Sequence, residues 1–534
     1  LDTAWFDDRP DNPKPSSPDR REDRVTTADT ADPGTQATAD LHTSAVSGLF
    51  GRDFIYMAFW TIQLIVVACV TPILTRLIAQ KELGLVAAAI AVMQLLNPVF
   101  GFALQTAVPR EHSGKFGNHG ARQLVTLGAV LATVVGLITY VTGRWWSPAL
   151  GLGPFPAAVR YAVIWAVLVA TTNPALSLTR TRDQLRSFVA ISFAQSIFAQ
   201  ALALGLVIFV HRTASEYLLG QMLGQLVAAA IALAVAKPAR LSRERLQMFS
   251  NALRFSTGLV PAMVASFVNA AADRLVIHAD LGSRTTSHYA VASNIGSFTL
   301  SILGTLDFVW LPRLFAIKDD SARRRVLGSS RDGLYVLGSS FAIAIAYASP
   351  VILWIWAPPS YDRGSLVPVI SLIAASAVPF ADGVVYTQAL ILAGRTRSVA
   401  VATIVAAVLN LALNLLLVPT LGITGSAGIS FCCYVIYAFM LRRMVGGGGP
   451  APSARSLSIA VLGVVICLSS AIAPTGGIAL GVRMVVMLIA TVVFVVQLLT
   501  LVKPESRRAL DQRLLKHAWI ASIARAVPSS KSDE

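Results

Sequence analysis

Charged side chains are rare in the apolar stretches of this 534-residue chain. Each one that occurs there is a candidate for chemistry, because a charge in a spanning helix costs at least about 2.5 kcal/mol even on insertion scales. Asp273 and Arg274 are adjacent, and Asn269 stands four residues before Asp273, on the same helical face. A guanidinium and an amide so placed can hold an anionic head group. The same pair can equally form a local structural contact near the outer boundary, with Arg274 snorkelling to the surface. Arg76 carries the same two readings. Asp382 follows Pro379 near the middle of its apolar run with no cation beside it in sequence. Two chemistries fit it: a protonated, buried carboxyl bonded to a neighbour, or an ion-coupling site facing a watery cavity. Asp307 lies about one turn before Pro312-Arg313, where a structural ion pair is expected. Asn410 and Asn414, one turn apart, match Gln195 and Gln200 earlier in the chain; such amides glue helices together or line a cavity. Gln63, Gln94, Asn97 and Gln105 carry the same alternatives, and Pro98 frees a backbone carbonyl beside Asn97.

No Walker loop, dinucleotide turn, Gly-x-Ser-x-Gly elbow or metal-spaced His/Cys cluster accompanies these residues, so no catalytic residue, cofactor or metal is expected. The longest outer connection, about residues 143–156, holds no Asp, Glu or His, which argues against an enzyme acting on a lipid-linked sugar donor.

The elements that must position the polar residues are helices in a lipid bilayer. Hydrophobic residues make up 55% of the chain and charged residues only 13%, against a usual charged share of about 25%, too few to cover a water-facing surface. In hydrocarbon every backbone polar group must pair within its own segment, so runs of roughly 20 apolar residues cross as helices. About fourteen such runs follow one another, the first near residues 54–75 and the last near 478–502. The fold class is therefore an all-α integral membrane protein of about fourteen transmembrane helices. The net charge of +16 does not mark a nucleic-acid binder, since no basic soluble domain carries it. Arginines instead gather in alternate connections, for example Arg180, Arg182 and Arg186, then Arg240, Arg243 and Arg245, then Arg323 to Arg325 with Arg331; this bias places both termini in the cytoplasm. Cys69, Cys432, Cys433 and Cys467 all lie in apolar runs and suggest no disulfide framework.

Residues 1–48, polar and proline-rich, read as a disordered cytoplasmic tail without the pattern of a signal peptide, and 503–534 as a basic amphipathic tail suited to a membrane surface. Between them lies a repeat. Arg76-Leu77 leads to Glu82-Leu83-Gly84 and Pro109-Arg110, and Arg274-Leu275 leads to Asp280-Leu281-Gly282 and Pro312-Arg313. Ala175-Leu176 before Arg180-Thr181-Arg182 is matched by Ala389-Leu390 before Arg395-Thr396-Arg397. Each match pairs a helix with the one six later, so two six-helix lobes in parallel orientation are expected, 49–245 and 246–445, with 446–502 as an appended C-terminal helix pair. The glycine run Gly446 to Gly449 is a flexible connector.

Three stretches resemble the polysaccharide-repeat-unit (O-antigen type) flippases of the multidrug/oligosaccharidyl-lipid/polysaccharide (MOP) exporter superfamily. These are Arg76-Leu77 with Leu83-Gly84, Gly101 and Arg110; Asp273-Arg274 with Gly282 and Tyr289-Ala290-Val291-Ala292; and Leu409-Asn410-Leu411 through Asn414-Leu415 to Pro419, Gly422 and Gly425-Ser426-Ala427. The resemblance implies two lobes around a cavity that opens alternately to either side and passes a polyprenyl-diphosphate-linked oligosaccharide to the outer leaflet for surface polysaccharide assembly. Arg76, Asn269, Asp273, Arg274, Asn410 and Asn414 are then the expected cavity residues and Asp382 the expected ion-coupling residue. The lipid bilayer is the expected surrounding partner, and a polysaccharide polymerase or glycosyltransferase a further one. Abundant alanine, and arginine in excess over lysine, point to the inner membrane of a bacterium with a GC-rich genome. A peptidoglycan-precursor flippase and a multidrug or cation antiporter of the same superfamily remain open alternatives, as does a non-transporting assembly scaffold.

Overall fold

Apolar residues recur without a polar face over runs of twenty or more residues, and a chain in lipid satisfies such runs only as helices. The computed structural model describes residues 52–317, 319–446 and 454–501, and among them it is helical with no strand. The helices are α1 Arg52–Leu77, α2 Gln80–Gly101, α3 Leu104–His112, α4 Gly117–Val141, α5 Gly143–Ala149, α6 Ala157–Thr181, α7 Leu185–Phe193 and, after a π turn, α8 Ala199–Phe209. They continue with α9 Ala214–Ala236, α10 Leu246–Thr257, α11 Val260–Ala316, α12 Asp320–Trp356, α13 Arg363–Ala375 and α14 Ala377–Leu392. α15 Thr396–Val445, α16 Ala454–Ser469 and α17 Ile478–Leu501 complete the order. Ten helical stretches among the described residues are long and apolar enough to cross a membrane, with the shorter apolar segments Ile65–Leu77 and Ala454–Ser469 beside them. The expected tails 1–48 and 503–534, the Gly446–Gly449 connector beyond Gly446, and the side chain of Asp307 lie outside what is described.

Two of the long helices are in fact broken rods. Gly282 has φ 82° and ψ 169° within α11, and Gly422 has φ 63° and ψ −157° within α15, backbone states open essentially to glycine alone. Each break reverses the chain between two crossings. In the first repeat the Leu-Gly motif is used differently. There the chain turns at Ile78 and Ala79, before Leu83-Gly84, so Gly84 lies inside α2 rather than at a turn.

Gly84 serves close approach instead. An added Cβ would stand 1.7 Å from the Ser283 carbonyl oxygen, so the motif glycine of the first repeat meets the residue after the motif glycine of the second. Around this point α2 presents buried Ala87, Ala88, Ala89 and Ala91, and small side chains let two helices in lipid come near enough for dispersion and backbone contact. The largest apolar core joins α1 and α2 to α11, α12 and α13, through residues such as Leu74, Val86, Met93, Ile277, Ile295 and Trp356. A further core knits α3, α4, α6, α7, α9 and α10 together.

The two halves of the chain are cross-tied in a matching way. Thr75 donates to the Trp356 carbonyl at 2.5 Å, and Gln80 donates to the Ser360 carbonyl at 2.9 Å, so the end of α1 grips the end of α12. Reciprocally, an added Cβ on Gly151, in the loop after α5, would stand 2.7 Å from the Ala279 Cα near the break of α11. The final pair, α16 and α17, packs on α12, and α16 also touches α13.

Candidate functional site

Two of the anticipated site residues, Asp273 and Arg274, part company in space. Asp273 is buried, accepts a hydrogen bond from the backbone N–H of Arg274 at 2.8 Å, and receives the Tyr289 hydroxyl on its other oxygen. The two side chains form no ion pair. Its guanidinium reaches away to neutral oxygens, Asn294 Oδ1 at 3.1 Å and Ser293 Oγ at 3.3 Å, and its Nε is buried without a partner.

Beside this pair the second half of the chain assembles a polar string. Ser426 donates to Asn414 Oδ1 at 2.6 Å, and Asn414 donates to the Asn410 carbonyl at 2.9 Å and to its side-chain oxygen at 3.2 Å. Ser426 also approaches the Tyr289 hydroxyl, so the breaks of α11 and α15 bring Asp273, Tyr289, Ser426, Asn414 and Asn410 into one neighbourhood. Tyr289 and Ser426 lay within the motif stretches, yet nothing in their spacing announced that they would be the links. Asn410 and Asn414 are both buried and bonded to each other, and Asn414 is tied to Ser426 across the Gly422 hairpin. Asn269 is half-buried and makes no side-chain hydrogen bond. Arg76 does not join this group: it donates to the carbonyls of Pro72 and Ile355, both at 2.7 Å, and so caps the end of α12.

The first half carries a counterpart to the amide string. Tyr217 donates to Gln200 at 2.8 Å and accepts from Gln221 at 3.2 Å, while Gln225 donates to Thr172 at 3.0 Å. Asn97 Oδ1 accepts from Asn173 at 3.3 Å, near Pro98.

A second polar group lies nearer the arginine-rich surface. Asp382 on α14 accepts the Tyr335 hydroxyl at 2.6 Å, and Arg331 stands near enough to act on it electrostatically. This corrects one expectation. Arg331 is not a loop residue, because α12 begins at Asp320 and carries Arg331 inward to 2% exposure. Arg331 also binds Asp332 at 3.0 Å. A charged residue that sequence reasoning missed is Arg483 of α17. It is 1% exposed and donates to the carbonyls of Ser470 at 3.0 Å and Ala473 at 2.8 Å, fastening the final pair against Tyr347 of α12. Its position inside an otherwise apolar run was the available signal. Among the described residues no group of His, Cys, Asp or Glu could hold a metal ion.

Solved structures share this fold. A structure titled lipid II flippase MurJ, inward closed conformation, superposes with a TM-score of 0.62 over 82% of this chain and 99% of its own, at 14% identity. An inward-facing multidrug resistance MATE family transporter of the MOP superfamily gives 0.56 over 73% of this chain and 95% of its own, at 11% identity. A Vibrio cholerae MATE transporter, VcmN, gives 0.53 over 75% and 97%, at 16% identity. More particularly, residues 73–330 match the model of the family described as polysaccharide biosynthesis protein. No curated protein matches the chain in sequence.

Proposed function

We propose that the chain is an alternating-access flippase that carries a polyprenyl-diphosphate-linked oligosaccharide from the cytoplasmic to the outer leaflet of a bacterial inner membrane, for surface polysaccharide assembly. The observation that carries the reading is Arg274: a guanidinium set among helices with a buried Nε that has no partner and no carboxylate within ion-pair distance. A diphosphate entering a low-dielectric cavity needs such a cation, and a guanidinium can grip two of its oxygens at once. Asn294 and the unbonded Asn269 supply amides for sugar hydroxyls nearby. Asp273, Tyr289, Ser426, Asn414 and Asn410 then act behind them by fixing the breaks of α11 and α15. The match of residues 73–330 to a polysaccharide biosynthesis family favours an oligosaccharide cargo over a drug or cation; a peptidoglycan precursor would present the same diphosphate.

Arg274→Ala should lower flipping of a lipid-linked oligosaccharide in proteoliposomes by at least about thirtyfold, since losing one partner of a buried charged contact costs about 2 kcal/mol or more. Arg274→Lys should keep part of the activity at equal protein level. Wild-type flipping by both variants would remove Arg274, and with it this reading of the site.

A further inference from the structure

Between the two repeats the chain runs through α10, and its sequence is not that of a spanning helix. Leu246, Phe249, Ser250, Leu253, Arg254 and Thr257 fall at helical spacing on one face, and of these only Phe249 is buried in the core. The face borders an open cavity of about 650 Å³ that Leu127 of α4 and Leu241, Ser242 and Arg243 also line. The lining holds no amide and no carboxylate, so it offers a sugar chain nothing beyond three hydroxyls and two guanidiniums. Leu246 at the mouth is 64% exposed and Leu241 41%.

The cations here differ from their neighbours. Arg245 is engaged, donating to Gln123 at 3.0 Å and lying 4.9 Å over the Phe116 ring, and Arg110 lies 4.7 Å over Phe255. Arg243 and Arg254, both exposed, make no hydrogen bond and no ion pair among the described residues. Residues 237–254 contain five basic side chains and one acidic. An apolar slot under an amphipathic helix, with two unpaired guanidiniums at its rim on an arginine-rich surface, has the chemistry of a site for a chain-bearing anion.

We infer that the slot between α10 and α4 binds an anionic phospholipid of the surrounding leaflet, its acyl chain against Leu127, Phe249 and Leu253 and its phosphate between Arg243 and Arg254. The site is separate from Arg274 and does not depend on the cargo. Because α10 is the connection between the repeats, an occupied slot would brace that connection against α4.

The full-length protein, purified in a mild detergent, can be tested by native mass spectrometry with equimolar phosphatidylglycerol and phosphatidylcholine. The wild type should retain phosphatidylglycerol preferentially. An arginine near an anionic lipid surface is worth about fivefold in binding, so R243Q/R254Q should weaken retention by about twenty-five-fold. Leu127→Trp, which fills the slot without changing charge, should also lower it, while Arg323→Gln should not. Equal retention of the two lipids by the wild type, or wild-type retention by both the double variant and Leu127→Trp, would overturn the assignment. Retention only of an added polyprenyl phosphate would assign the slot to the cargo lipid and likewise overturn it. Flipping activity is not the readout, so failure here leaves the Arg274 reading untouched, and the reverse holds.

Discussion

Replacing Gly84 by alanine sets a methyl carbon 1.7 Å from the Ser283 carbonyl oxygen, 2.5 Å from its carbonyl carbon and 2.9 Å from its Cα. All three are backbone atoms, so no rotamer change relieves the overlap. Ordinary contact begins at 3.4 Å, and the difference from 1.7 Å requires α2 and the second half of α11 to separate by about 1.7 Å at this point. Overpacking of this kind costs about 1–3 kcal/mol, which shifts an equilibrium between a joined and a parted state of this contact by about 5- to 150-fold. The contact between Gln80 and Ser360, 3.2 Å between side-chain atoms, reports on that joint. In a background lacking the four native cysteines, Gln80→Cys with Ser360→Cys should cross-link rapidly through a short bifunctional thiol reagent. Adding Gly84→Ala should slow the reaction by at least about fivefold, and flipping should fall with it. Cross-linking and transport both at the parental rate would refute the idea that this glycine holds α2 against α11.

Two other expectations are open to direct measurement. Cysteines replacing Arg180, Arg240 or Arg323 should resist an impermeant thiol reagent in intact cells if arginine bias sets the orientation. Ala149→Cys, on exposed α5, should react once outer barriers are removed, whereas Ser147 is 0% exposed and is no probe; the reverse pattern would invert the topology. For Asp382 we expect Asp382→Asn to slow turnover in proteoliposomes while substrate binding persists, and Tyr335→Phe to weaken the protein by about 1–3 kcal/mol by leaving a half-buried carboxylate without its hydroxyl donor. Transport by Asp382→Asn that still follows imposed pH, sodium and voltage gradients, each tested separately, would exclude it as a coupling site.

Hydropathy made the helices legible because lipid leaves a backbone no other choice, and Gly282 and Gly422 were visible as motif glycines because their dihedral angles admit little else. Partnership was less legible. The partner of Asp382 is Tyr335, 47 residues earlier, and the partner of Asn414 is Ser426 across a hairpin; tyrosines and serines are common in such helices, so type alone does not select them. Arg331 was misplaced because hydropathy locates the apolar run of α12 and cannot see that the helix continues for a further turn or more towards Asp320. Arg76 and Arg274 share a motif, yet one caps α12 and the other faces neutral oxygens, since equivalent residues in a repeat meet different neighbours once the α1–α2 turn and the α11 break fall at different offsets.

The ties between the two halves of the chain are of a kind that can be undone. If the two repeats move as bodies, the Asp273 and Asn414 strings lie within one of them and stay intact, as do the Gln200 and Tyr217 bonds within the other. What must break is the contact of Thr75, Arg76 and Gln80 with residues 355–360, the seat of Gly151 on Ala279, and the approach of Gly84 to Ser283. Arg76 and Gln80 are at the surface, where water replaces each lost bond, so each contributes only about 0.5–1.5 kcal/mol net. A cargo whose diphosphate satisfies Arg274 better in one arrangement than in the other could supply a difference of that size, and only such a differential contact shifts the balance. On the proposed function, the unpartnered Nε of Arg274 is the feature that would couple cargo to closure, since it is a deficit for a diphosphate to fill where the neighbouring polar strings are already satisfied.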